Sequence, residues 1–424
     1  ATPAAFALNT RIMGKGGNKT SSTDHYGHSA SKEMAASSAE KEAGVKGSGA
    51  TTPVDLTEEY VFKHPPLDDG RGVGSHFSSL LLSADWFNTI CELILVGGLT
   101  FAAFQLPPEM VNVEGSMPLK YLALYMWAAS LFRRCYNSYL EACYFSFPQH
   151  RTQPVSEHKL KKIKDICGRD LEQMKTLVFQ DRMTLFTQFA LDVSLYYAIP
   201  GYYPDPSNIR VCEYGNAQLM FERVVQLHLN HYIMSFGMYW MHRACHMVPF
   251  LWEHVHGIHH YADHPLSRTT YQDHWFDNFS NAIIGHMFAH ILMPLDFPCF
   301  FFSRFFRMAE SLEKHSGISC YLNLAHQTQQ WLPFAQMPHH HDYHHEGHKS
   351  CNYTFSSLGG VWDCVFGTRK AGRANIVADT TQATLQDINW DPNNKTPPTR
   401  TALDTAWGSL SPVLAITVAA LTKL

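Results

Sequence analysis

Apolar and polar residues are unevenly distributed along this chain. Residues 1–78 are rich in Gly, Ala, Ser, Lys and Thr and hold almost no apolar run. Such a stretch buries too little surface to offset its ordering entropy, so it predicts a disordered polar tail. From Trp86 to Leu106 the chain reads WFNTICELILVGGLTFAAFQL, long enough to cross ~30 Å of hydrocarbon as a helix. Its one charge, Glu92, must then face protein or reach for the interface. A second apolar run, Leu119–Phe132, meets Arg133 and Arg134 and continues as an amphipathic aromatic segment to Phe147. Further apolar helices are predicted over 184–203 and 217–241. The stretch from Phe279 to Phe306, broken by Pro294 and Pro298, suits a helical hairpin.

The pattern predicts an all-α chain: an integral membrane bundle of about four transmembrane helices. The N-terminal membrane helices and their connecting loop take residues 79–216. The histidine-rich region takes 217–370, a polar Thr/Asn/Pro linker 371–401, and an apolar segment over 402–424 is a candidate anchor. The basic cluster from Lys159 to Lys164 marks its loop as cytosolic under the positive-inside rule.

Composition narrows the class. Lys+Arg 33 against Asp+Glu 37 gives a net charge of −4, so no basic field for nucleic acid exists. Charged residues make up 17%, against roughly 25% in an ordinary soluble domain. The 10 cysteines form no C-x-x-C pair, which excludes a disulfide scaffold or Cys-type zinc module. The telling count is 26 histidines, of which 20 lie between His228 and His348.

Those histidines fall into three clusters. His242-Arg-Ala-Cys-His246 ends an apolar helix, and its i,i+4 spacing puts both rings on one face. His256-Gly-Ile-His259-His260 and His341-Asp-Tyr-His344-His345 share an H-x-x-H-H pattern. A lone histidine on an apolar helix is usually a satisfied core residue. Eight in three such clusters have no simple structural purpose, since each neutral ring needs a partner. The zinc-hydrolase signature H-E-x-x-H is absent: Glu253-His254 has the wrong order, and His345-Glu346-Gly347-His348 is one residue short. Eight or more ligands suit two metals with positions left open. Imidazole suits iron, copper and zinc alike, so the ligands do not choose the metal. The membrane does: lipids are the accessible substrates, and cutting an unactivated C–H bond needs dioxygen and a redox metal.

The sequence HRACH…HGIHH…HDYHH, with Glu313-Lys-His315-Ser-Gly317 and Asn352-Tyr353 followed by Trp362-Asp363-Cys-Val-Phe366-Gly367-Thr368, resembles the fatty acid hydroxylase and sterol desaturase superfamily. Within it, the 4-methylsterol oxidase-like branch is the most similar. That resemblance implies a dinuclear iron site in a cytosolic histidine-rich cap, with dioxygen as co-substrate. It implies electrons from NAD(P)H through cytochrome b5 and its reductase, and a home in the endoplasmic reticulum membrane. The implied ligands are His242, His246, His256, His259, His260, His341, His344 and His345, with His315 next and His274 and His340 after it. The implied substrate is the 4-methyl group of a sterol, with a fatty acid, sphingolipid or sterol side chain as alternatives. A histidine-rich metal-binding protein or an idle subunit of a membrane complex is the competing class. Asp342, Asp363, Asp273 and Glu253 are candidates to orient ligand rings. His228, His231, His286 and His290 are expected to be structural, while His326, His339 and His348 are expected to back the ligands from outside or to lie at the surface.

Overall fold

The computed structural model describes residues 86–147, 150–152, 171–208, 217–262, 265–329, 334–345 and 350–370. The tail 1–78, the basic cluster at 159–164, the linker 371–401 and the segment 402–424 lie outside the described residues. Among the described residues the fold is all-α, with no strand and two isolated bridges, Ser116 to Pro204 and Arg151 to Ile318. The main helices are α1 (Trp86–Gln105), α2 (Leu119–Ser146), α3 (Leu171–Ala198), α4 (Ala217–Met247), α5 (Trp275–Asn281), α6 (Phe297–Lys314), α7 (Pro338–His345) and α8 (Gly360–Val365).

One helix among the described residues, Phe87–Gln105, is long and apolar enough to cross a membrane. It is almost entirely unburied and exposes Phe87, Ile90, Leu93, Ile94, Phe101 and Phe104. A soluble core helix would bury such residues, so the chain is a membrane protein. Of the expected four or so spans, this is the one that passes by length and composition among the described residues; the other long helices are more polar. Asp181, Arg182 and Asp192 interrupt α3, Arg223 interrupts α4, and Arg304 and Arg307 interrupt α6.

Glu92, the one charge of α1, is buried and faces protein, as its position demands. Its carboxylate accepts from Arg133 at 3.2 Å and Arg134 at 2.7 Å, both on α2. Trp127 of α2 donates to Thr100 of α1 at 2.9 Å, a second polar tie along the same seam. Helices α2 and α6 run parallel, joined by aromatic contacts that climb about one turn at a time. Tyr121 meets Phe297, Tyr125 meets Phe301, and Phe132 meets Phe305. The ladder ends where Tyr136 donates to Glu313. It thereby fixes the C-terminal end of α6, two residues before His315.

Helix α4 packs against the segment after α5, where Ala282–Met287 forms a π-helical turn. A Cβ on Gly237 would lie 2.2 Å from the Ile284 carbonyl oxygen, so only glycine permits this approach. Helix α3 is held on α5 by Gln188 donating to Asn278 and by the Trp275 amide donating to Gln180. The C-terminal end of α4 is thus brought near that of α6, with α7 and α8 packed over them.

Replacing Glu92 with Ala removes the shared acceptor of two guanidiniums. A loss of about 2–3 kcal/mol is expected, at the low end for a broken buried pair because both arginines are partly open. Thermal unfolding of the detergent-solubilised protein measures it, and an unchanged midpoint would remove the α1–α2 clamp.

Candidate metal centre

Each histidine cluster folds so that its ring nitrogens turn inward. His242 and His246 are one turn apart at the end of α4. His256 closes a π-helical turn, Trp252–His256, in which the Gly257 amide donates to the Trp252 carbonyl at 2.8 Å. A 3-10 turn, His259–Tyr261, follows at once and carries His259 and His260. Helix α7 holds His341, His344 and His345, and His315 follows the last turn of α6.

Nine imidazoles assemble into two groups. His242, His246, His256, His260 and His344 make one; His259, His315, His341 and His345 make the other. Within each group the ligand nitrogens lie within 4.8 Å of one another. The two H-x-x-H-H clusters serve both groups, since neighbouring residues such as His259 and His260 point to different ones. The groups adjoin, and the rings of His260 and His345 stack across the boundary at 4.3 Å.

The facing atoms are Nε2 nitrogens. His242 and His256 stand 3.0 Å apart, His242 and His246 3.1 Å, and His256 and His260 3.2 Å. In the second group His259 and His315 are 3.0 Å apart, His315 and His341 3.1 Å, and His341 and His345 3.2 Å. Ligands at right angles around a metal with bonds of about 2.1 Å lie about 3.0 Å apart, whereas a tetrahedron spaces them at about 3.4 Å. The observed spacing fits octahedral or bipyramidal coordination with positions left open. The donor set therefore fits two transition-metal ions.

The opposite nitrogens fix the tautomers. Nδ1 of His242 meets the Tyr353 carbonyl at 2.6 Å, that of His344 the Cys351 carbonyl at 2.7 Å, and that of His345 the Ala262 carbonyl at 3.2 Å. Nδ1 of His315 meets the Ser311 carbonyl at 2.9 Å, and that of His256 meets Asp277 at 2.6 Å. A carbonyl can only accept, so Nδ1 carries the proton and the Nε2 lone pair faces inward. Asn352, at φ 54, is the one described non-glycine residue in the left-handed region, and it directs the flanking Cys351 and Tyr353 carbonyls at two ligands. Its own side chain is held by the Lys370 amide and the His340 carbonyl.

Burial, followed by neighbouring imidazoles, pushes His259, His260, His341 and His345 well below the usual histidine range. Burial pulls His315 down to about 4. These rings are neutral at pH 7, the form in which imidazole binds a metal. Burial and the neighbouring Asp277 hold Asp273 well above the usual carboxylate range, and its Oδ1 has no hydrogen-bond partner.

Two of the eleven ligand candidates stand apart from both groups. His274 accepts from the Phe276 amide at 3.2 Å, so it caps α5 instead of reaching the centre. His340 accepts from the Met337 amide at 3.0 Å and packs on His339, because its position on α7 turns it from the face of His341, His344 and His345. Of the proposed ring-orienting carboxylates, Glu253 is exposed and Asp342 is buried on α7. Asp273 lines a cavity. Asp363 accepts from the Tyr353 and Thr354 amides and so holds the backbone that orients His242. The carboxylate that touches a ligand is Asp277, which sequence reasoning missed; its signal was an acid opening an otherwise apolar helix. His231, His326 and His339 have structural partners in Glu310, Glu313 and Ser319.

A cavity of about 250 Å³ opens onto both groups, touching His256 of one and His259 and His315 of the other. It runs among α1, α2, α3 and α6, with Val96, Met126, Leu195 and Met308 in its wall.

Asp277→Asn should weaken metal binding in the group containing His256 by about 10–100-fold, read by metal titration, while sparing the other group. Protons and metal compete for the same lone pairs, and burial has lowered the proton affinity of these rings, so metal should stay bound as the pH falls from about 7 to about 5 and pass to a chelator only near and below the His315 value of about 4. The depressed histidines also carry a stability sign. The unfolded chain takes up protons near pH 6.5 that the folded one refuses, so the metal-free protein should lose stability as pH falls below about 6.5. A melting temperature that rises on acidification would contradict the neutral-ring assignment.

A family model for fatty acid hydroxylase matches residues 228–368. A very-long-chain aldehyde decarbonylase GL1-10 of Oryza sativa subsp. japonica is 28% identical over 37% of this chain and 48% of its own. Methylsterol monooxygenase 1-3 of Arabidopsis thaliana is 27% identical over 36% and 51%, and sphinganine C4-monooxygenase 1 of the same plant 27% over 32% and 50%. The chain spans about half the length of the curated relatives it matches. No solved structure matches it. The matched segment begins at His228, ends at Thr368 and encloses all nine converging histidines. Residues 228–368 thus match the fatty acid hydroxylase domain, in keeping with the superfamily that the three histidine clusters resemble.

Proposed function

We propose that the protein is a membrane-bound, dinuclear iron monooxygenase that inserts oxygen into a C–H bond of a lipid. The observation that carries this is a single cavity reaching both imidazole groups. The bound metals would supply the redox chemistry that activates dioxygen. One oxygen atom enters the C–H bond and the other leaves as water, with two electrons and two protons consumed. The electrons would come from NAD(P)H through cytochrome b5 and its reductase. The orientation that this requires places the centre at the cytosolic face, most simply of the endoplasmic reticulum.

The chain's own residues supply position and shielding. Backbone carbonyls hold His242, His315, His344 and His345 in one tautomer, and Asp277 does so for His256. The buried rings exclude water from the centre, which keeps a reactive oxidant from being discharged by solvent. The cavity wall would align the lipid so that one carbon is presented.

A sterol is the substrate best supported by similarity. Three methylsterol monooxygenases match at 26–27% identity, and the 4-methyl group is the carbon that the sequence resemblance names. The decarbonylase and the sphinganine enzyme match equally well, so similarity alone does not rank the oxidised carbon.

Membranes holding the full chain, loaded with iron without air and then given labelled dioxygen, reductant and a sterol panel, should yield a product carrying one labelled oxygen. His344→Ala should abolish turnover and leave the helical circular dichroism intact. Turnover surviving in His344→Ala, or a product without label, would favour a metal-binding or idle role over an oxygenase.

A further inference from the structure

At a distance from the histidines, the same cavity carries charge. Arg304, Arg307, Met308 and Ser311 of α6 and His315 just beyond it line one side of the cavity, and Arg307 is already taken up by Glu310 at 2.7 Å. His315 belongs to the metal centre. Arg304 lies eleven residues earlier, which at 1.5 Å per residue is about 16 Å along the axis. Arg304 donates to Tyr202 at 2.5 Å, and Tyr203 donates to Asp192 at 2.5 Å. Asp192, Tyr202 and Arg304 all border the cavity.

This polar end sits against apolar packing: Tyr202, Tyr203 and Phe300 share one apolar cluster with Val96 of α1. Ionisable groups beside such a cluster are costly and are rarely kept without a use. Neither charge is neutralised by a direct ion pair with the other: each meets a tyrosine hydroxyl, and both retain open hydrogen-bonding capacity toward the cavity.

We infer that Asp192, Tyr202 and Arg304 bind the hydroxyl of a lipid substrate and so set which carbon reaches the metals. An acceptor and a donor of opposite charge suit a neutral group that both donates and accepts. A carboxylate would be repelled by Asp192, and an ammonium by Arg304. The spacing then requires the oxidised carbon to lie about 16 Å from that hydroxyl along the lipid. A 4-methylsterol does not meet this requirement. Its hydroxyl and methyl sit on adjacent ring carbons, so a methyl at the metals would leave hydrocarbon against Arg304 and Asp192. A 3-hydroxysterol lying with its nucleus along α6 presents its side chain to the histidines. The inference rests on the oxygenase reading and moves the oxidised carbon within it, to the sterol side chain.

The test uses the full chain in lipid nanodiscs, with a 3-hydroxysterol and its 3-deoxy analogue as probes. Binding to the metal-free protein and turnover by the iron-loaded protein are both measured. The hydroxysterol should bind about tenfold more tightly than the deoxy analogue, and mass spectrometry should place the new oxygen on the side chain. Asp192→Asn and Arg304→Gln should each collapse that preference toward unity; Arg304→Lys should retain part of it. Elution as a single folded species with unaltered iron content controls for misfolding. Equal binding of the two probes by the wild-type chain, a preference unchanged in both variants, or oxygen on the 4-methyl group would overturn the inference. Absence of turnover with the binding preference intact would instead sink the oxygenase reading and leave the hydroxyl site standing.

Discussion

Nine buried or nearly buried imidazoles face one another here, and the Nδ1 contacts of His242, His256, His315, His344 and His345 turn the Nε2 lone pairs of those five inward. Each ring is buried or nearly so, each neutral ring has one donor, and that donor is engaged outward wherever a backbone carbonyl or Asp277 meets Nδ1. Between His242 and His256, both fixed in this way, acceptor then faces acceptor at 3.0 Å. Lone pairs at that range repel unless a cation lies among them. That arrangement suits a cation between the rings, and much of the surrounding structure holds the rings in place.

Three long-range ties do that holding. The aromatic ladder between α2 and α6, ending at Tyr136 and Glu313, sets the height of His315. Glycine at 237 lets α4 sit close against the segment after α5, so that Asp277 can cross to His256. The strained backbone at Asn352, fastened by Asp363 through the Tyr353 and Thr354 amides, aims carbonyls at His242 and His344. Each tie joins an element far away in sequence to one inward-facing nitrogen. A left-handed asparagine costs of order 1–3 kcal/mol, and it persists only where several contacts enforce it.

The clusters themselves were legible because i,i+4 spacing on a helix fixes a common face before any tertiary structure forms. His315 was legible from its Glu-x-His-Ser-Gly setting. His274 and His340 were misread because side-chain direction near a helix start depends on which amide lacks a partner, and spacing does not report that. Asp277 was missed for a related reason: its contact with His256 passes through a π-helical turn and a loop, neither of which has a sequence period. The number of spans was not legible from apolar content alone: among the described residues one helix passes as a span by length and composition, while α2, α3 and α6 mix apolar stretches with charge and α4 mixes them with Gln, Asn and His.

The same reasoning accounts for charge near the centre. Nine neutral rings do nothing to cancel the charge of the cations they would hold, and in a poorly polarisable interior that charge is felt at long range. Carboxylates outside the ligand set must answer it. Asp277 does so through His256, and Asp273, unpartnered at Oδ1 and bordering the same cavity, is placed to become ionised when the metals are present. The elevated position of the Asp273 carboxyl follows from burial beside another acid without a cation nearby. A cation beyond His256 reverses the sign of its surroundings, so the cavity end at the histidines would turn from neutral to attractive for electron-rich groups. On the proposed hydroxyl site, holding that group at the remote Asp192–Arg304 end would also keep it from occupying a metal position needed for dioxygen.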